Sequence, residues 1–206
     1  MNMKQQFSKL RNFYRSDFLH CLTVTAAAFL ILIMLSFVIG LFVPDLAGNV
    51  FLWFSMGVEE LGVVDDQGNF YAGALFLNNF RSMMTGILMG FIPYIYLTAL
   101  SLGVNSMLLG FFAAFYIDNG YPMAQYFAAL FPHGLFEIPA MILAFSSGIY
   151  LCHTITDYAR NNVKGTVKAA LGNLARVFIV QIVPLLLIAA LLEAYVTPRF
   201  VEFIIG

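Results

Sequence analysis

The chain has 206 residues, 61% of them hydrophobic and 10% charged, with a formal net charge of −1. Soluble domains are only about 45–50% apolar, so this composition excludes one, and a near-neutral chain without a basic stripe excludes nucleic acid as a partner. The length also leaves no room for a separate soluble catalytic domain beside several spans, so the expected fold is all-α, a polytopic helical membrane protein with one integral membrane domain over residues 1–206.

Residues 1–20 read as a cytoplasmic amphipathic segment, with Met3, Phe7, Leu10 and Tyr14 at helical spacing. The stretch 22–43 carries no charge and is long enough to cross a hydrocarbon core of about 30 Å. Lys4, Lys9, Arg11 and Arg15 precede it. A cleaved signal has a shorter apolar core and a small-residue cleavage site, so this span is expected to be a retained signal anchor with a cytoplasmic N-terminus. The loop 44–71 that follows holds Asp45, Glu59, Glu60, Asp65 and Asp66 without a basic residue, and places Phe51, Phe54, Val58 and Leu61 on one helical face.

Spans are predicted next over 82–102 and 104–120, parted by Ser101-Leu102-Gly103. The run Asp118-Asn119-Gly120-Tyr121-Pro122 is a turn signal, and 123–131 is apolar again. Two more spans are predicted over 132–156 and 176–196. Between them lie Arg160, Lys164 and Lys168, and an amphipathic face of Val163, Val167, Leu171 and Leu174. Basic loops stay cytoplasmic, so an even number of crossings must come before this one. The result is about five transmembrane helices with interfacial amphipathic helices beside them, six crossings being the alternative; of ten basic residues only Arg81 and Arg199 fall outward.

Small residues at i and i+4 allow close helix approach at Ser36/Gly40, Gly86/Gly90, Gly110/Ala114 and Ala144/Gly148, more often inside a protomer than between two. Pro93, Pro139 and Pro184 fall inside predicted spans, and Pro139 frees the carbonyl of Leu135. Cys21 and Cys152 share no disulfide or metal spacing and are expected to be small core residues.

The topology puts six polar residues at one level near the outer leaflet: Asn78, Asn79, Arg81, His133, Glu137 and Glu193. Ionisable groups at that depth cost several kcal/mol unless partnered. His133 and Glu137, at i and i+4, share a helix face. Glu193 ends an apolar run and needs Arg81, His133 or an ion to offset it. Three readings stay open: a buried ion-pair and hydrogen-bond network with Arg81 neutralising a carboxylate, a divalent metal site such as zinc on His133, Glu137 and Glu193, and a docking or conduction site. Phosphate-binding glycine loops, GxSxG and nucleotide fingerprints are absent, and no enzyme activity is expected.

Phe76-Leu77-Asn78-Asn79-Phe80-Arg81 with Gly86 and Gly90, Asn105 with Gly110, Pro132-His133-Gly134-Leu135-Phe136-Glu137-Ile138-Pro139-Ala140, and residues 186–193 followed by Ala194-Tyr195-Val196-Thr197-Pro198 resemble the stage II sporulation protein M family. The resemblance implies a multi-pass membrane protein that is not itself a hydrolase and that anchors peptidoglycan-degrading partners at the septal membrane during engulfment. The expected function is accordingly a plasma-membrane scaffold, in contact with the lipid bilayer and with envelope-remodelling proteins, and a homodimer. The alternative is a channel or transporter component, or a metal-dependent membrane enzyme, working at the same cluster.

Overall fold

Proline placement, apolar run length and small residues decide how this chain is cut into helices. The computed structural model describes residues 3–60, 71–161 and 165–205. Leu61, Asp65, Asp66, Val163 and Lys164 lie outside the described residues, as do the side chains of Met3, Lys4, Phe7, Glu59 and Glu60. The described elements are α1 (Met3–Phe13), a π-helical turn (Tyr14–Phe18), α2 (Leu19–Phe42), α3 (Pro44–Glu60), α4 (Ala72–Leu88) with a 3-10 turn (Met89–Phe91), α5 (Thr98–Asp118), α6 (Met123–Asn161), α7 (Thr166–Val177), a second π-helical turn (Phe178–Ile182), α8 (Val183–Tyr195) and α9 (Thr197–Ile205).

Four stretches of the described chain are long and apolar enough to cross a bilayer: Leu19–Phe42, Thr98–Asp118, Met123–Asn161 and Thr166–Tyr195. Alongside them, α4 packs against α6 and α8. The outward surface is apolar, with Leu30, Ile31, Met34 and Ile179 all exposed. That pattern suits lipid as solvent.

The predicted span over 82–102 is corrected. The helix there begins ten residues earlier, at Ala72, and ends at Leu88. After the 3-10 turn the chain reverses, because Pro93 lacks an N–H and forces Ile92 out of the helical region, at φ −90° and ψ 106°. Tyr94 and Tyr96 then take positive φ, 69° and 51°. Three bonds hold the reversal in place: Tyr94 N–H donates to Thr156 Oγ1 at 3.0 Å, Cys152 Sγ to Ile92 O at 3.2 Å, and Thr98 Oγ1 to Gly86 O at 2.8 Å. The expected break at Ser101-Leu102-Gly103 is instead helical, inside α5.

A second correction concerns 123–131, left outside the predicted spans over 104–120 and 132–156: these residues are the first part of α6. With 39 residues, α6 is about 58 Å long at 1.5 Å per residue, well beyond a hydrocarbon core of about 30 Å. Pro132 and Pro139 both lie inside it, which membrane helices tolerate when neighbours satisfy the freed carbonyls.

Small residues bring the helices together inside this chain. A Cβ on Gly110 of α5 would run into Ser36 Oγ and Ile33 O of α2, and one on Gly40 would meet Ala114 Cβ at 2.6 Å. Between α4 and α6, a Cβ on Gly90 would strike the Gly148 carbonyl, and one on Gly86 would stand 2.9 Å from Phe145.

The amphipathic pieces pack on protein as well as facing outward. Leu10, Phe13 and Phe18 are buried in the main core with Leu174 and Val177 of α7. Phe13 stacks on Phe18 with centroids 4.6 Å apart, both rings edge-on to Tyr150, and Tyr14 Oη donates to Gln181 Oε1 at 2.6 Å. On the other side of the molecule α3 seats Phe51 on Phe115 and Phe54 against Phe112 of α5. α1, α7 and α3, expected as interfacial amphipathic helices, are therefore docked on the bundle.

Candidate functional site

The 3.6-residue period of α6 sets His133 directly above Glu137, and α8 reaches the same place from the opposite direction with Glu193, two residues before it ends at Tyr195. His133 Nε2 stands 3.9 Å from Glu137 Oε2, and the two side chains are only 15% and 17% exposed. One ligand-type atom from each of His133, Glu137 and Glu193 can be chosen so that all lie within 4.8 Å of one another. The chain turns sharply after α8, and Thr197, the first residue of α9, sets its Oγ1 3.4 Å from His133 Nδ1. α9 then packs back on α6 and α8. The cluster thus joins three helices.

Depth follows from the helix rise. From His133 to Cys152, which anchors the 92–97 reversal, is about 28 Å along α6 at 1.5 Å per residue. That is close to one hydrocarbon thickness. The cluster lies at one end of the bundle, and the 92–97 reversal with Lys9, Arg11, Arg15, Arg160 and Lys168 belongs to the other. Residues 123–132 continue α6 past the cluster by about 15 Å.

Of the six residues expected at one level, the structure brings His133, Glu137 and Glu193 together. Arg81 is exposed on α4 and forms no ion pair with the described residues, so the expected neutralisation of a carboxylate by its guanidinium is corrected: α4 turns that side chain away from the bundle. Asn78 and Asn79 are half-buried on α4 and not hydrogen-bonded to the cluster. No Lys or Arg of the described chain reaches the two carboxylates. A separation of 3.9 Å is too long for a hydrogen bond, so the site holds two carboxylates and an imidazole without a compensating group between them. It can share protons among them, or hold a cation.

Thr197 was not identified from sequence; only its place two residues past the end of α8, four residues beyond Glu193, hinted at it. Nor was the opposite end, where a groove of ≈ 930 Å³ is lined by Lys9, His20, Cys21, His153, Asp157 and Asn173 among others. His153 Nδ1 lies 2.9 Å from Asp157 Oδ2 there. Their i, i+4 spacing was the available signal. Both side chains are more than half exposed, and an exposed pair of this kind contributes about 0–1 kcal/mol. Ser146 and Ser147 donate to carbonyls four residues back, as buried helical hydroxyls do.

A helical bundle closed by small residues, apolar on its outside and carrying a sequestered acid–base cluster near one end, is a polytopic membrane protein. The chain belongs to the stage II sporulation protein M family, whose profile matches residues 28–198. It is also similar to an uncharacterized protein of Methanocaldococcus jannaschii, 24% identical over 165 residues, covering 75% of this chain and 91% of that one. No solved structure matches.

Proposed function

We propose that the protein is a non-enzymatic scaffold of the plasma membrane that holds envelope-remodelling, peptidoglycan-acting partners at its outer face. Membership of the stage II sporulation protein M family supports the sporulation-type membrane setting. The observation that carries the reading is the overrun of α6. Its first ten residues project past the His133 level and expose Phe127 and Phe131 at 57% and 62%. Tyr121 in the preceding turn and Phe203 on α9 add to this apolar display. We read this exposed aromatic surface, carried on a helix that runs past the His133 level, as the protein-contact surface. In this reading the cluster beneath it sets the angle between α6, α8 and α9, and so the shape of that surface.

A homodimer belongs to the same reading. The small-residue motifs close helix pairs within the protomer, so a dimer must use another face.

Photo-crosslinkers placed at residues 127, 131 and 203 in native cells test the scaffold. The expected result is capture of an envelope protein from these positions, and no capture from a matched position in the ≈ 930 Å³ groove at the other end. Substitution of Glu137 or Glu193 should weaken that capture. The rival, a channel or transporter component or a metal-dependent membrane enzyme, draws on the convergence of three ligand-type side chains. Solute flux or turnover by the purified protein, abolished in His133→Ala, would replace the scaffold reading.

A further inference from the structure

We infer that His133, Glu137 and Glu193 form a divalent metal site that clasps α6 to α8, with Thr197 of α9 as the residue that orients the histidine. The inference does not rest on the scaffold reading. It rests on donor type, convergence and charge.

One imidazole nitrogen and two carboxylates are a donor set suited to zinc, and three protein ligands leave a fourth position for water. Zinc ligands at 2.0–2.2 Å in a tetrahedral arrangement stand roughly 3.4 Å from each other. Here the candidate atoms lie within 4.8 Å, with His133 Nε2 and Glu137 Oε2 already at 3.9 Å. The three side chains, carried by α6 and α8, therefore have at most about 1.4 Å to close between any two ligand atoms. The tautomer is also provided for. When Nδ1–H donates to Thr197 Oγ1, Nε2 keeps its lone pair and directs it at Glu137, as metal-bound histidines arrange by giving their other N–H to an oxygen.

Charge completes the argument. Two carboxylates approach each other at the edge of the hydrocarbon region, where an uncompensated charge is costly. Arg81 faces outward and no basic side chain of the described residues reaches the site. A divalent cation neutralises both carboxylates at once. Sharing protons leaves the geometry without a centre.

The test uses full-length protein purified in detergent, without chelator and without a polyhistidine tag. Elemental analysis is expected to show about one zinc per chain, and chelation followed by added zinc to lower and then restore the melting temperature. Glu137→Gln and Glu193→Gln separate the two chemistries while preserving shape. In a proton-sharing network each amide leaves the melting temperature equal or higher, and zinc does nothing. In a metal site each loses the zinc-dependent shift. Thr197→Val is expected to fold and to bind zinc about 10–100-fold more weakly, the range for a lost outer-sphere partner, with Thr197→Ser restoring affinity. Stripped wild-type protein that stays folded and shows no shift with zinc or manganese overturns the proposal, as does a zinc shift that persists in Glu193→Gln.

Discussion

Each glycine in this chain has its own consequence, and the difference lies in what stands opposite. Gly110 faces the backbone and hydroxyl of α2, and Gly90 faces the backbone of α6 at Gly148. Backbone cannot rotate away as a side chain can, so Gly110→Val or Gly90→Val must push helices apart. Overpacking of this kind costs typically 1–3 kcal/mol, more when backbone is the obstacle. Unfolding in mixed detergent is expected to show a loss of at least about 2 kcal/mol for either. Gly103 and Gly172 have open space around their would-be Cβ; Gly103→Ala and Gly172→Ala should be neutral or gain a few tenths of a kcal/mol from helix propensity. Arg81 makes a second contrast. Exposed and unpaired with any described residue, it can become glutamine with a stability change of about 0.5 kcal/mol or less. Were it the counter-charge of the cluster, that substitution would cost about 3–5 kcal/mol.

Among the elements, the N-terminal segment changed most between sequence and structure. Its period made α1 legible as an amphipathic helix, because apolar residues every three to four positions mark a face without saying what covers it. The cover is α7 and the end of α6. Phe18 is fully buried, and Phe18→Ala should cost about 3–5 kcal/mol. Tyr14→Phe removes one hydrogen bond, worth about 1 kcal/mol. Limited trypsin digestion reads both: cleavage at Lys9, Arg11 and Arg15 is expected to speed up strongly in Phe18→Ala and slightly in Tyr14→Phe. If α1 merely rested on lipid headgroups, neither substitution would alter cleavage.

The helices themselves were unevenly legible. The first span, predicted over 22–43, is α2 almost residue for residue, since an uninterrupted apolar run has no other way to satisfy its backbone in lipid. The region 82–102 was misplaced because its apolar content continues smoothly through Pro93. Whether a proline kinks a helix or ends it depends on what the freed groups meet. Here Thr156 and Cys152 of α6, sixty residues away, accept the reversal. Conversely Pro132 sits within α6, and 123–131 joins it.

For the whole molecule, basic residues gather at the end that holds the 92–97 reversal, so this end is expected in the cytoplasm. With Cys21 and Cys152 replaced by alanine, Ser8→Cys and Arg199→Cys report on opposite ends of the bundle. A membrane-impermeant maleimide should label position 199 in intact cells, and position 8 only after permeabilisation. The reverse pattern would invert the topology and place the His133 cluster inside.

Composition and apolar run length by themselves determined the class of protein, because a bilayer admits few ways to bury a backbone. Residue spacing determined that His133 and Glu137 share a face, since that follows from the helix period alone. Only the tertiary structure decided that Glu193 joins them while Arg81 does not, that Thr197 supports the histidine, and that glycines of α4, α5 and α6 close this protomer. Those outcomes depend on the rotation of each helix about its own axis against its neighbours, a quantity set by the packing of all of them together.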